Sequence, residues 1–228
     1  MSALKEKLGK KIEEWRPRTT KLLKDFGDVK VSDVTISQVI GGARGVKCLT
    51  TDISYLDPYE GIRFRGFTIP EVMEKLPKVP GQEMPYVEGF FYLLLTGDLP
   101  TEKDAAEVAA EFKKREEVPE YVYSMLKQLP PDSHPMAMFS AAIVAMQRES
   151  LFVKEYNAGL NKMEYWMPTY EDGMNLLAKL PTIAAFIYRL KYKNGDIIKA
   201  DPKLDMGGNF AHMMGIKKPY DEVSRMYF

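Results

Sequence analysis

Cysteine occurs once, at Cys48, in a chain of 228 residues. A lone thiol excludes an intramolecular disulfide framework and is compatible with a reducing compartment. Histidine occurs only at His134 and His212. Two distant imidazoles and one thiol argue against a Cys/His zinc site, and no metal is expected. There is no excess of either charge, with 32 Lys plus Arg against 32 Asp plus Glu. Bulk electrostatics therefore favour neither nucleic acid nor an anionic membrane as partner. No apolar run approaches the roughly 18 residues of a membrane span. The N-terminus lacks the apolar centre of a secretory signal. Its Glu6, Glu13 and Glu14 are out of keeping with a mitochondrial leader, so no targeting peptide is visible. Gly-x-Ser-x-Gly, Walker-loop and dinucleotide motifs are missing too, as are internal repeats and low-complexity stretches.

What remains is a chain with 45% apolar and 28% charged residues. That composition suits one large globular domain or two small ones. Leu4, Leu8, Ile12 and Trp15 share one helical face, with lysines and glutamates opposite. Pro17 is expected to interrupt this helix or end it near Arg16. Leu22, Leu23 and Phe26 form a second apolar patch before Gly27. Residues 1–27 read as a helical arm that packs on a partner or on the body of the protein.

Val29, Val31, Val34, Ile36, Val39 and Ile40 point to short extended segments, and Val46–Ile53 is β-prone. Between them, Arg44 stands among glycines in Gly41-Gly42-Ala43-Arg44-Gly45. A guanidinium in such a loop suits a phosphate, and it equally suits a surface turn. Asp57-Pro58 opens a turn. Ile62 and Phe64 then alternate with Arg63 and Arg65 between Gly61 and Gly66, a short strand with one apolar and one cationic face. The arginines are expected to pair with Asp57, Glu60 or a later carboxylate.

From Ile69 onward the pattern is helical. Pro85–Leu95 is apolar nearly all round and is stopped by Gly97. Thr101 and Asp104 make a start like a capping box, and Pro119 opens another helix that Pro130-Pro131 ends. Pro135–Arg148 is so apolar that it must be surrounded, in a domain centre or a subunit interface. Thr169 and Asp172 are expected to start a long helix that Pro181 kinks and Asn194-Gly195 ends. His134 reads as a cap or packing residue, and His212 as packing. Pro219 starts a last helix whose Val223, Met226, Tyr227 and Phe228 read as the interior of a larger protein. The fold class is all-α, mostly helical, with short N-terminal β segments.

Several of these stretches, in this order, resemble the citrate synthase family in its mitochondrial-type branch. They are Gly41-Gly42-Ala43-Arg44-Gly45, Leu56-Asp57-Pro58 through Gly61–Gly66, Leu94–Gly97 with Pro100, and His134-Pro135-Met136. Tyr165-Trp166 with Tyr170-Glu171-Asp172, and Lys193-Asn194-Gly195, complete the set. The likeness covers roughly residues 30–228. It implies condensation of acetyl-CoA with oxaloacetate and water to citrate and CoA, the entry step of the tricarboxylic acid cycle. It implies no metal or redox cofactor, a homodimer through helices near 135–148 and 170–192, and a mitochondrial matrix location. It makes 28–228 the incomplete helical large domain of such a protein. The family's catalytic His and Asp motifs and its oxaloacetate-binding arginines are expected beyond Phe228, so no catalytic residue lies in this chain and the chain alone is expected to be inactive. His134 and His212 do not match those motifs. Arg44 and Lys162 match two family contacts to CoA phosphates, with Lys162 standing where many members have Arg. The alternative is an inactive protein that keeps the helical dimer scaffold as a structural or assembly element. A CoA-binding module without catalysis is a third reading.

Overall fold

The computed structural model describes residues 2–216 except Cys48. The expected last helix from Pro219 therefore lies outside the described residues. The chain divides into two compact units, one of residues 1–75 with 93–98 and one of residues 76–92 with 99–228.

In the first unit, α1 (Ala3–Phe26) is capped by Ser2, whose side chain accepts from the Lys5 N–H. The helix runs on through Pro17, contrary to the sequence expectation. Proline removes the donor to the carbonyl four residues earlier, that of Glu13, and its ring crowds that carbonyl, so the helix carries this cost rather than ending. Only Leu4 of its apolar face is buried. Lys7 and Lys11 both reach Asp98, at 2.9 Å each, and hold its carboxyl below the usual carboxylate range.

The valine-rich run also departs from expectation. Residues 29–35 form no strand, and Ile36–Ile40 is a helix, α2. Its Thr35 and Gln38 form a reciprocal capping box. These β-branched residues are exposed and have no sheet to join, so the cap prevails over the propensity. The described residues of 46–53 form no strand either.

The Asp57–Gly66 stretch folds as the expected turn and short strand, except that the strand stops at Phe64 and leaves Arg65 outside it. β1 (Ser54–Asp57), β2 (Gly61–Phe64) and β3 (Phe67–Thr68) form an antiparallel sheet in that order. The Asp57 carboxylate accepts from the N–H groups of Glu60, at 2.9 Å, and Tyr59, at 2.8 Å, which closes the turn and lowers its pKa. Arg63 pairs with Glu60, as expected. Arg65 does not follow the expectation. It donates to the Leu94 carbonyl through Nε at 2.9 Å and Nη2 at 2.7 Å, and its carboxylate partner is the earlier Asp52. Leu94 lies in the last turn of α4 (Val87–Thr96), where unsatisfied carbonyls attract a cation. α3 (Ile69–Lys75) carries Pro70 in its first turn.

The second unit is helical. It takes Val87–Tyr92 of α4, then α5 (Glu102–Lys113), α6 (Glu120–Gln128), α7 (Pro135–Ala145), α8 (Leu151–Asn157), α9 (Trp166–Tyr192) and α10 (Met206–Met213). The Thr101–Asp104 capping box of α5 forms as read. The core joins Val122, Tyr123 and Leu126 of α6, Met138 and Ala142 of α7, and Ile183, Phe186 and Ile187 of α9. α7 is not surrounded within the chain, because Met136 and Val144 are 61% and 73% exposed. α9 starts at Trp166, before the expected Thr169–Asp172 start, and continues through Pro181. Thr169 instead donates to the Tyr165 carbonyl at 2.7 Å, and Asp172 serves α8.

Candidate functional site

Arg44 follows α2 in a turn whose backbone is left-handed at Gly42, Ala43 and Gly45, with φ of 76°, 61° and 74°. Glycine takes that geometry without cost, whereas Ala43 does not. The Ala43 N–H donates to the Gln38 carbonyl at 2.7 Å and the Val46 N–H to the Ala43 carbonyl at 3.0 Å. Gln38 Nε2 donates to the Arg44 carbonyl at 3.4 Å. The main chain of the turn is thus held, while the Arg44 side chain is exposed. An exposed guanidinium on a fixed loop is suited to a bidentate oxyanion contact.

Lys162 belongs to the second unit and opens a 3-10 turn, Lys162–Glu164, between α8 and α9. Asn161 Oδ1 caps this turn, accepting from the Met163 N–H at 2.9 Å. The start of α8 is tied to α9 by Asp172. Its carboxylate accepts from Ser150 Oγ at 2.6 Å and from the N–H groups of Leu151 and Phe152 at 2.8 and 3.0 Å. Phe152, Tyr156 and Tyr165 then meet ring to ring at 5.3–5.9 Å. Lys162 is exposed at the rim of this segment.

His134 caps α7, its Nδ1 accepting from the Met136 N–H at 3.2 Å, which is the capping role read from the sequence. His212 is half-buried in α10 between the buried Ala211 and Met213. Among the described residues, no three His, Cys, Asp or Glu side chains converge as a metal shell. No single described helix is long and apolar enough to cross a membrane.

Two polar features escaped the sequence reading. Arg115 bridges Glu111 at 2.6 Å and Glu171 at 2.8 Å. Burial works against its charge, but the Glu171 and Glu111 carboxylates outweigh burial and the net shift is upward. Nearby, Lys179 donates to the carbonyls of Arg115 and Asn175, and burial lowers its pKa. The second feature is Glu88, 3% exposed in α4, whose carboxyl burial pushes upward. A carboxylate within the apolar run Val87–Leu95 was the available signal. For Arg115 only the i,i+4 spacing to Glu111 was available, because Glu171 lies 56 residues further on.

A sequence model described as "Citrate synthase, C-terminal domain" matches residues 42–228. The mitochondrial citrate synthase of Daucus carota is 45% identical over 226 residues, which are 98% of this chain and 48% of that protein. A protein of Yarrowia lipolytica named "2-methylcitrate synthase, mitochondrial" is 44% identical over 98% of this chain and 49% of its own length. The crystal structure of citrate synthase from Pyrobaculum aerophilum superposes with a TM-score of 0.68 at 25% identity, over 86% of this chain and 47% of that one. A mostly helical chain with this hairpin, glycine turn and helix order belongs to the citrate synthase family. It spans about half the length of the curated relatives it matches.

Proposed function

We propose that this chain is the N-terminal half of a citrate-forming acyltransferase, which condenses acetyl-CoA with oxaloacetate and water to citrate and CoA. The observation that carries the reading is the 45% identity to a mitochondrial citrate synthase across 98% of the chain. The relatives' names also support a mitochondrial location, and by family the matrix is the compartment proposed. The reaction needs a base for the acetyl methyl proton and two donors for enol and carbonyl oxygens. The family's residues for these roles are assigned to motifs beyond Phe228. The 228-residue chain is therefore expected to release no CoA from acetyl-CoA plus oxaloacetate above a heat-killed control. The reading frame, expressed through to its own stop codon, is expected to release it. Failure of that product to turn over would leave the inactive scaffold as the better reading.

The proposed partner is a second copy of the chain. Supporting this, α7 carries Met136, Ala137, Ser140 and Val144 along one exposed, nearly apolar stripe, within the 135–148 stretch that the family resemblance assigns to the dimer. Trp15, Leu22, Leu23 and Phe26 of α1 are likewise exposed. The same preparation is expected to sediment at twice the monomer mass, and a monomer at micromolar concentration would refute this.

Arg44 and Lys162 are proposed as contacts to CoA phosphates. Arg44→Ala should weaken CoA binding about tenfold in calorimetry, the loss of one charge-assisted contact. Arg44→Lys should recover part of it, since Lys keeps the charge without the fork. Unchanged affinity in Arg44→Ala would remove Arg44 from the site.

A further inference from the structure

Within the second unit, a cavity of about 250 Å³ lies where α4, α5 and α9 meet the segment leading into α10. Its volume is below the roughly 300–1,000 Å³ of drug-sized sites, so an occupant must be small. Four carboxylates line it, those of Glu88, Glu116, Asp201 and Asp205, against the single ammonium of Lys113. Lys113 Nζ donates to the Pro202 carbonyl at 3.1 Å. Asp201 accepts from the Lys203 N–H at 2.9 Å, and Asp205 caps α10 by accepting from the Gly208 N–H at 3.1 Å. The rest of the wall is largely apolar, formed by residues such as Phe112, Ala178 and Met213.

Glu88 is the anomaly. Its side chain is buried, the N–H of Met206 serves its carboxylate, and Oε2 has no hydrogen-bond partner. A buried acceptor left without a donor is costly, and a cation is the donor that satisfies it best. Among the described residues no metal shell converges, and a hard cation would need six or more oxygens at once. An ammonium needs few acceptors, and an alkyl stem fits the apolar wall. We infer that this cavity binds a small alkylammonium ion, its N–H groups seated on Glu88 Oε2 and its stem against Phe112 and Met213.

Such binding is coupled to protons. Burial, and then the charge of Asp205, favour the protonated Glu88 carboxyl. The other ionisable groups around it are Tyr86, Lys113, Glu116 and Asp201. α9 contributes no ionisable residue to the wall. An arriving ammonium favours the ionised Glu88 carboxylate, so affinity should rise with pH.

The test is calorimetric titration of the 228-residue chain with n-butylammonium chloride at about pH 8 and about pH 6. Saturable one-to-one binding is expected, weaker at the lower pH, with butan-1-ol and butyrate giving none. E88Q should lose at least about tenfold in affinity. Its melting temperature at the higher pH reads whether the variant still folds. Butan-1-ol binding as tightly as the amine, or E88Q binding unchanged, overturns the proposal.

Discussion

Phe186→Ala is expected to cost about 3–5 kcal/mol of folding stability, the range for truncating a buried aromatic ring. In a chain of this size that lowers the melting temperature by roughly 10 °C. Phe186 is 3% exposed at the centre of the core joining α6, α7 and α9. Its ring meets Tyr123 edge to face at 4.9 Å, and Lys127 Nζ lies 5.9 Å from its centroid. Alanine removes the ring's transfer energy and leaves a void between three helices that can close only in part. Phe186→Leu should cost much less, since it retains most of the volume. Denaturant unfolding checks both. A loss below about 1 kcal/mol for alanine would mean that the three helices do not form one cooperative core.

Asp172→Ala should cost about 2–3 kcal/mol, because one carboxylate satisfies three donors at the start of α8. Two of these are helix N-terminal amides with no partner inside their own helix. Asp172→Asn retains one acceptor oxygen and should lose about half as much. Amide exchange at Leu151 and Phe152 reads the effect directly. Exchange that stays as slow in Asp172→Ala as in the unaltered chain would rule this anchor out. Because the link to Lys162 follows α8, the alanine variant should also loosen that link.

The parts of the fold legible in the sequence are those decided by neighbours in the chain. The Thr101–Asp104 box and the Asp57 turn each lie within a few residues and formed as read, whereas the alternation Ile62–Arg65 formed only as far as Phe64, with Arg65 turned out of the strand toward α4. The errors arose where a local signal had a distant competitor. The valines before Ile40 are strand formers, but no second strand comes to them. Pro17 weakens a helix by a lost bond and a steric clash, yet α1 continues through it. Asp172 resembled a helix start by sequence, yet its partners lie some twenty residues upstream. The family was readable from motif order alone. Arg44 and Lys162 became candidates through that likeness, whereas Glu88 needed three dimensions, because what distinguishes it is a buried Oε2 without a donor.

The hairpin and the end of α4 are joined by a rule of substitution as well as by hydrogen bonds. Arg65 grips main-chain carbonyls, so it is indifferent to which side chains stand at positions 94 and 95. Those two positions can drift, subject only to their own packing. Position 65 cannot. It requires a planar fork long enough to reach the helix end, on a backbone whose φ of 50° few side chains tolerate. The contact therefore places its informational load on one side alone, and a library randomised at all three positions should return arginine at 65 beside a broad mixture at 94 and 95.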